Sequence, residues 1–213
     1  FDESEMDTWK NIKDNMILLY DDKTKLFEQH DGFFKLPHLD VDSIPISDFP
    51  LYDNWSYDRI YRNDMIKQPD VFMLLFISKF SQEQLKANYE YYEPCCIHES
   101  SLSPSVHSIL ASQLKKDDEA YDFFGFATRL DLDNYNRNTN QGIHTTSIAA
   151  AWMNIVYGFG GLRSDGEKLS VAPSIPKNWG GYSFNISYKG VVIEIKVDKE
   201  NVYIKTKGDG VVE

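Results

Sequence analysis

Two short stretches gather the side chains that can do chemistry. Residues 140–161 read NQGIHTTSIAAAWMNIVYGFGG: a glycine turn, His144, then Thr145, Thr146 and Ser147, then an apolar run ending in glycines. One hydroxyl suffices to cap a helix, so four polar side chains on one first turn are more than capping requires. Unpaired N–H groups and the positive end of the helix dipole, joined by hydroxyls and an imidazole, would cradle an oxyanion such as phosphate. A hydroxyl-rich N-cap is the plainer reading of the same spacing. The second stretch, residues 91–107, reads YYEPCCIHESSLSPSVH, with Glu93 before a proline and His98, Glu99, Ser100, Ser101 and Ser103 after it. A Ser/His/Glu hydrolase would want a glycine-flanked nucleophile elbow, which this stretch lacks. The histidines at 98, 107 and 144 do not have the HxxxH-type spacing of a metal site. Lys67 and Gln68 stand one turn before an apolar run, as a solvated pair or as a cation and an amide offered to sugar hydroxyls.

The elements that must position these groups follow from composition and periodicity. The chain has 213 residues, 42% hydrophobic and 14% aromatic, enough for one large domain or for one domain with a smaller appendage. A net charge of −11 argues against a nucleic-acid backbone or an anionic membrane as partner. No apolar run reaches the length of a membrane span. The cysteines, Cys95 and Cys96, are adjacent; free thiols in a reducing compartment are expected, which favours the cytoplasm. The chain opens on Phe1, not an initiator methionine, and reads as a piece of something longer.

Residues 6–20 have helical spacing. Residues 21–55, rich in turn residues and proline, read as an extended loop with at most short strands, and a loop of that length is usually functional. Residues 66–80 predict a nearly all-round apolar helix with Pro69 in its first turn. Ser81, with Gln84 three residues on, caps a helix running to about Tyr92, and Pro94 follows. Further helices are expected from about Pro104, through DDEAYDFFGFATRLDLD, and over 146–157. After Gly160-Gly161 the period becomes two, in KLSVAPSIP, YSFNISYKG, VVIEIKVDKE and NVYIKTKGDG, predicting an antiparallel β unit packed on the helices.

Taken together, QHDGFF, IKQPDV, YYEPCCIHESSLSPSVHSILA, FATRLDLDNYN, GIHTTSIAAAWMNIVYGFGG and LSVAPSIPKNW resemble the maltose, kojibiose and trehalose phosphorylase family, in that family's order. The resemblance implies a mainly α fold with a small β unit: residues 1–159 as the second half of a six-hairpin α/α barrel, and 160–213 as a small C-terminal β-sandwich domain. It implies inverting phosphorolysis, in which an α-glucosyl disaccharide and phosphate give β-glucose 1-phosphate and a released sugar. Phosphate is then a co-substrate, and no cofactor or metal is implied. Lys67, Gln68 and Glu93 match sugar-binding positions, and His144, Thr145, Thr146, Ser147 and Ser101 match phosphate-binding ones. The general acid, a glutamate, belongs to a motif upstream of this segment, so no catalytic residue is expected here and the segment alone should be inactive. The implied partners are the substrates, the upstream half of the same polypeptide and a second copy in a homodimer, with neither nucleic acid nor membrane. A hydrolase on the same barrel, or a carbohydrate-binding module using Phe33, Phe34 and Trp55, are the alternative readings.

Overall fold

The structure, a computed structural model, describes residues 2–135 and 137–208. Helix α1, Glu3–Asn15, starts where the Asp2 carboxylate accepts the Ser4 N–H, and none of its residues is buried. Its apolar stripe, Met6, Trp9 and Ile12, therefore lies outside the core of these residues. The helix also stops before the expected Tyr20. Met16 turns to extended backbone, and Tyr20 pairs with Phe27 across the two-residue strands β1, Tyr20–Asp21, and β2, Leu26–Phe27.

The long proline-rich stretch is more ordered than an extended loop. It contains three single 3-10 turns and one short helix, α2 (Leu51–Asn54), and α3 (Tyr57–Tyr61) follows just beyond it. Phe27, Phe33, Leu51 and Trp55 are buried from it. One buried amide holds its start: Asn88 accepts the Phe27 N–H at 2.9 Å and donates to the carbonyls of Lys25 and Gln84, both at 2.8 Å.

The core helices follow. α4 covers only Asp70–Ile77, shorter than expected, because Ile66 is drawn into a parallel bridge with Cys96 and the residue before Pro69 avoids helical backbone. α5, Gln82–Tyr92, starts with the expected capping box of Ser81 and Gln84. α6, Ser103–Gln113, is buried over nearly its whole length, and α7 (Asp117–Arg129) packs along it. α8, Thr145–Met153, continues as a π-helical turn over Asn154–Phe159, and both segments also pack on α6. At Gly161 the chain adopts left-handed backbone (φ 58°) and passes so near Ala172 that a Cβ would lie 2.4 Å from that residue's carbonyl oxygen.

Three of the four expected runs form full strands, whereas KLSVAPSIP pairs only through Leu169–Ser170. β3 (Arg163–Ser164) pairs with β4 (Leu169–Ser170), and β5 (Gly181–Tyr188), β6 (Val191–Asp198) and β7 (Val202–Lys207) form an antiparallel meander. Val191, Ile193, Ile195 and Val197 line one face of β6 and share a core with Phe184, Leu162 and Val156 of the π turn. Across from that face, among the described residues, lie Leu169, Val171 and Ile175 rather than a second broad sheet. The Tyr182 hydroxyl donates to the carbonyls of Phe159 and Ser174, which ties the sheet to the last helical turn. No helix among the described residues is long and apolar enough to cross a membrane.

Replacing Asn88 by alanine strands a buried N–H on Phe27 and a carbonyl on Lys25. Since each orphaned group costs about 1–3 kcal/mol, urea unfolding should show Asn88→Ala destabilised by about 2–4 kcal/mol at unchanged m-value. A loss near zero would show that the β1–β2 turn is not held by this side chain.

Candidate functional site

Main-chain pairing brings the first group of candidates together. The Ile66 N–H donates to the Cys95 carbonyl at 2.8 Å, and the Ile97 N–H donates back to the Ile66 carbonyl at 3.0 Å. This bridge sets Lys67 and Gln68, both exposed, against the loop that follows Ile97. There the buried Ser100 hydroxyl donates to Gln68 Oε1 at 3.0 Å and accepts the Leu102 N–H, orienting the amide. Ser101, partly exposed, is the next residue in that loop. Lys67 Nζ lies 4.9 Å from the centre of the Tyr52 ring, a cation–π contact.

Glu99, in the same loop, is near enough to Lys67 to feel its charge. Its carboxyl is raised by burial, while the Leu51 N–H it accepts and the Lys67 charge pull it the other way. Glu93 instead ends α5, and the charges acting on it are Glu119, Lys116 and Asp42; burial, then Glu119, raises its carboxyl. The turn at residues 93–96 reverses the chain, so that residues four to eight positions later line up beside Lys67 and Gln68.

Two of the three histidines converge, although their spacing does not announce it. His98 and His107 lie with ring centres 4.6 Å apart, and their ligand atoms and the Cys96 sulfur all fall within 4.8 Å of one another. A carbonyl can only accept, so the 2.7 Å contact from His107 Nδ1 to the Ser103 oxygen puts the proton on Nδ1. His107 Nε2 is then a bare acceptor, buried and without a partner among the described residues. Burial pushes the Cys96 thiol up to about 12 and pulls His98 down to about 4. Phe72 and Phe123 pack on His107, so these groups form a neutral aromatic core beneath the loop.

The second group sits where α7 hands over to α8. His144 is the N-cap residue of α8, and Thr145 and Thr146 are exposed on its first turn. Ser147 does not join them. It is buried, and its hydroxyl donates to the Ala127 carbonyl at 2.9 Å, so its side chain fastens α8 to α7 rather than facing outward. The N–H groups of Thr145, Ser147 and Ile148 are bonded to nearby carbonyls, which leaves fewer backbone donors than the sequence suggested. His144 is held by Asp131, which accepts its N–H at 2.8 Å and meets Nδ1 at 2.5 Å. These bonds hold Asp131 below the usual carboxylate range.

The loop between these residues forms one wall of a cavity of about 290 Å³, bounded by Phe49, His98, Glu99, Phe126, Tyr135 and Arg137. The Arg137 guanidinium donates to the carbonyls of Ile46 and Phe49, and Asn138 hydrogen-bonds Tyr52. Tyr52 thus links the Lys67 group to the loop that leads to His144. Asp131, Glu99, Ser100 and Arg137 act across loops, where no periodic signal marks them in the sequence.

Residues 1–153 match the model of the glycosyl hydrolase family 65 central catalytic domain, and residues 162–213 match that of the family 65 C-terminal domain. The chain is 43% identical to maltose phosphorylase of Bacillus subtilis (strain 168), over 97% of its own length and 28% of that relative's. It is 45% identical to an alpha,alpha-trehalose phosphorylase of Thermoanaerobacter brockii, over 94% of the chain and 26% of the relative. A solved structure described as a putative kojibiose phosphorylase from the human microbiome superposes with a TM-score of 0.89 at 54% identity, over all of this chain and 30% of that one. The chain thus spans little more than a quarter of the length of the curated relatives it matches.

The low pKa of the half-buried His98 has a measurable consequence. Its folded pKa, about 4, lies below the unfolded value, so acid protonates the unfolded chain first. The stability it contributes is complete above pH 6.5 and lost as pH falls toward 4, roughly 3 kcal/mol across that window. Denaturant titrations at pH 7 and pH 4.5 should show a shallower acid loss in His98→Asn than in the unmodified protein. Parallel curves would place the His98 ring in water.

Proposed function

This chain belongs to glycosyl hydrolase family 65, and we propose that it is the C-terminal part of an inverting α-glucoside phosphorylase. In that reading, residues 1–159 complete an α/α barrel whose first half lies upstream, and 160–213 form the appended β domain. The substrate is an α-glucosyl disaccharide such as kojibiose or maltose. Phosphate takes the place of water in inverting glycoside chemistry, and an acid supplied from upstream protonates the leaving oxygen. The observation that carries the proposal is the Ile66–Cys96 bridge, which sets the exposed cation and amide of Lys67 and Gln68 against the Glu99–Ser101 loop.

Lys67, Gln68 and Glu93 are assigned to the hydroxyls of the transferred glucosyl unit, with Glu99 near enough to Lys67 to feel its charge. His144, Thr145 and Thr146, with Ser101, are assigned to phosphate, while Ser147 keeps α8 in place. Holding phosphate in line with the anomeric carbon makes the attack effectively intramolecular, where much of the rate acceleration of such a reaction arises. A homodimer in the cytoplasm completes the proposal.

Phosphate-dependent release of glucose 1-phosphate from a disaccharide by the complete protein is the direct test; release of free glucose without phosphate would replace the reading with a hydrolase. Residues 1–213 alone should show no turnover, since the acid is upstream, and activity of that segment would overturn the assignment. In the complete protein, Lys67→Ala and Gln68→Ala should each weaken glucosyl binding by about 1–3 kcal/mol. His144→Ala should raise the phosphate KM far more than that of the disaccharide, and equal effects on both would remove His144 from the phosphate site.

A further inference from the structure

We propose that Asp131 is the positioning residue of the phosphate site: it fixes the His144 ring so that Nε2 alone faces the bound anion. The inference rests on the reading of His144 as a phosphate ligand. Asp131 follows directly on α7, whose final residue, Arg129, is already paired in bidentate fashion with Asp133. The neighbouring cation is thus engaged elsewhere, and both Asp131 oxygens serve a single residue. One accepts the His144 backbone N–H at 2.8 Å, and the other meets His144 Nδ1 at 2.5 Å.

A carboxylate only accepts hydrogen bonds, so the ring proton on that side must sit on Nδ1. Nε2 is then the nitrogen left to meet a ligand, and it has no protein partner among the described residues. In a ring carrying both protons, Nε2–H donates to an oxyanion while the carboxylate balances the charge, the way an orienting acid serves a histidine ligand elsewhere.

The geometry goes beyond loop closure, for which the backbone bond alone would suffice. The bond to the ring sets its rotation and tautomer as well. Both side chains are only partly exposed, 22% for Asp131 and 20% for His144. Their elements are also locked independently, by the bond from Ser147 to the Ala127 carbonyl on the last turns of α7. Asp131 and His144 therefore meet on a fixed frame, as a ligand held to a narrow orientation requires.

Asp131→Asn in the complete protein separates the two roles. Its amide oxygen can still accept the His144 N–H and close the loop, but its NH2 now opposes Nδ1–H and turns the ring or inverts its tautomer. The phosphate KM should rise about tenfold or more while the disaccharide KM stays within about twofold, and Asp131→Glu should recover part of the loss. His144→Ala serves as the control. If it raises the phosphate KM and Asp131→Asn does not, the role of Asp131 is refuted while the site stands. If His144→Ala leaves that constant unchanged, the phosphate reading itself fails. A crystal structure of the unmodified complete protein with inorganic phosphate gives a check that needs no variant. Nε2 should lie within hydrogen-bond distance of phosphate with Nδ1 still on Asp131, and a ring rotated away from Asp131 to bind through Nδ1 would overturn the proposal.

Discussion

A helix buried along nearly its whole length must find partners inside the protein for most of its polar side chains. α6 is such a helix, and much of the arrangement around it follows. Ser108 donates to the Ala120 carbonyl, which fixes α7 beside it; His107 bonds back to the Ser103 carbonyl; Ser112 meets Ser174 of the β unit. α4, α5, α8 and the π turn pack on its remaining faces. With α7 held by α6, and α8 held to α7 through Ser147, the place where Asp131 meets His144 is determined by the core rather than by the loop between them.

The candidate site lies at the ends of these elements, on segments that have no periodicity of their own. Its two halves are fastened differently. The Lys67–Gln68 half depends on main-chain pairing, which is indifferent to side-chain identity and so holds the backbone still while the side chains face outward. The His144 half depends on side chains: a carboxylate, an imidazole and a buried serine. Arg137 and Tyr52 connect them, the one through carbonyls of the 46–49 segment and the other through Asn138 and Lys67.

Electrostatics sharpen this division. In a chain of net charge −11, an anion is held only where local groups outweigh the general field. Burial raises the carboxyls of Glu93 and Glu99. The Asp131 carboxylate is instead kept ionised by the group it orients. Next to the Glu99–Ser101 loop, burial keeps His98, His107 and Cys96 neutral, so they serve that loop as packing.

The sequence by itself determined the local elements. The Ser81–Gln84 box, the α6 and α7 segments and the strands after Gly161 were all legible, because caps, helical spacing and period-two alternation are properties of neighbouring residues. It also marked His144, Lys67 and Gln68 as unusual for their positions. Tertiary structure decided what those residues touch. It cut α4 back to Asp70 because Ile66 found Cys96, left the stripe of α1 without a buried residue, and turned Ser147 inward to Ala127. It put Glu99 within reach of the Lys67 charge, and it brought Asp131 to His144, thirteen positions further along the chain. Local pattern states which backbone is inexpensive and which face is apolar. Which groups meet depends on where distant segments close against a shared core, and that closure has no signature within any one window of sequence.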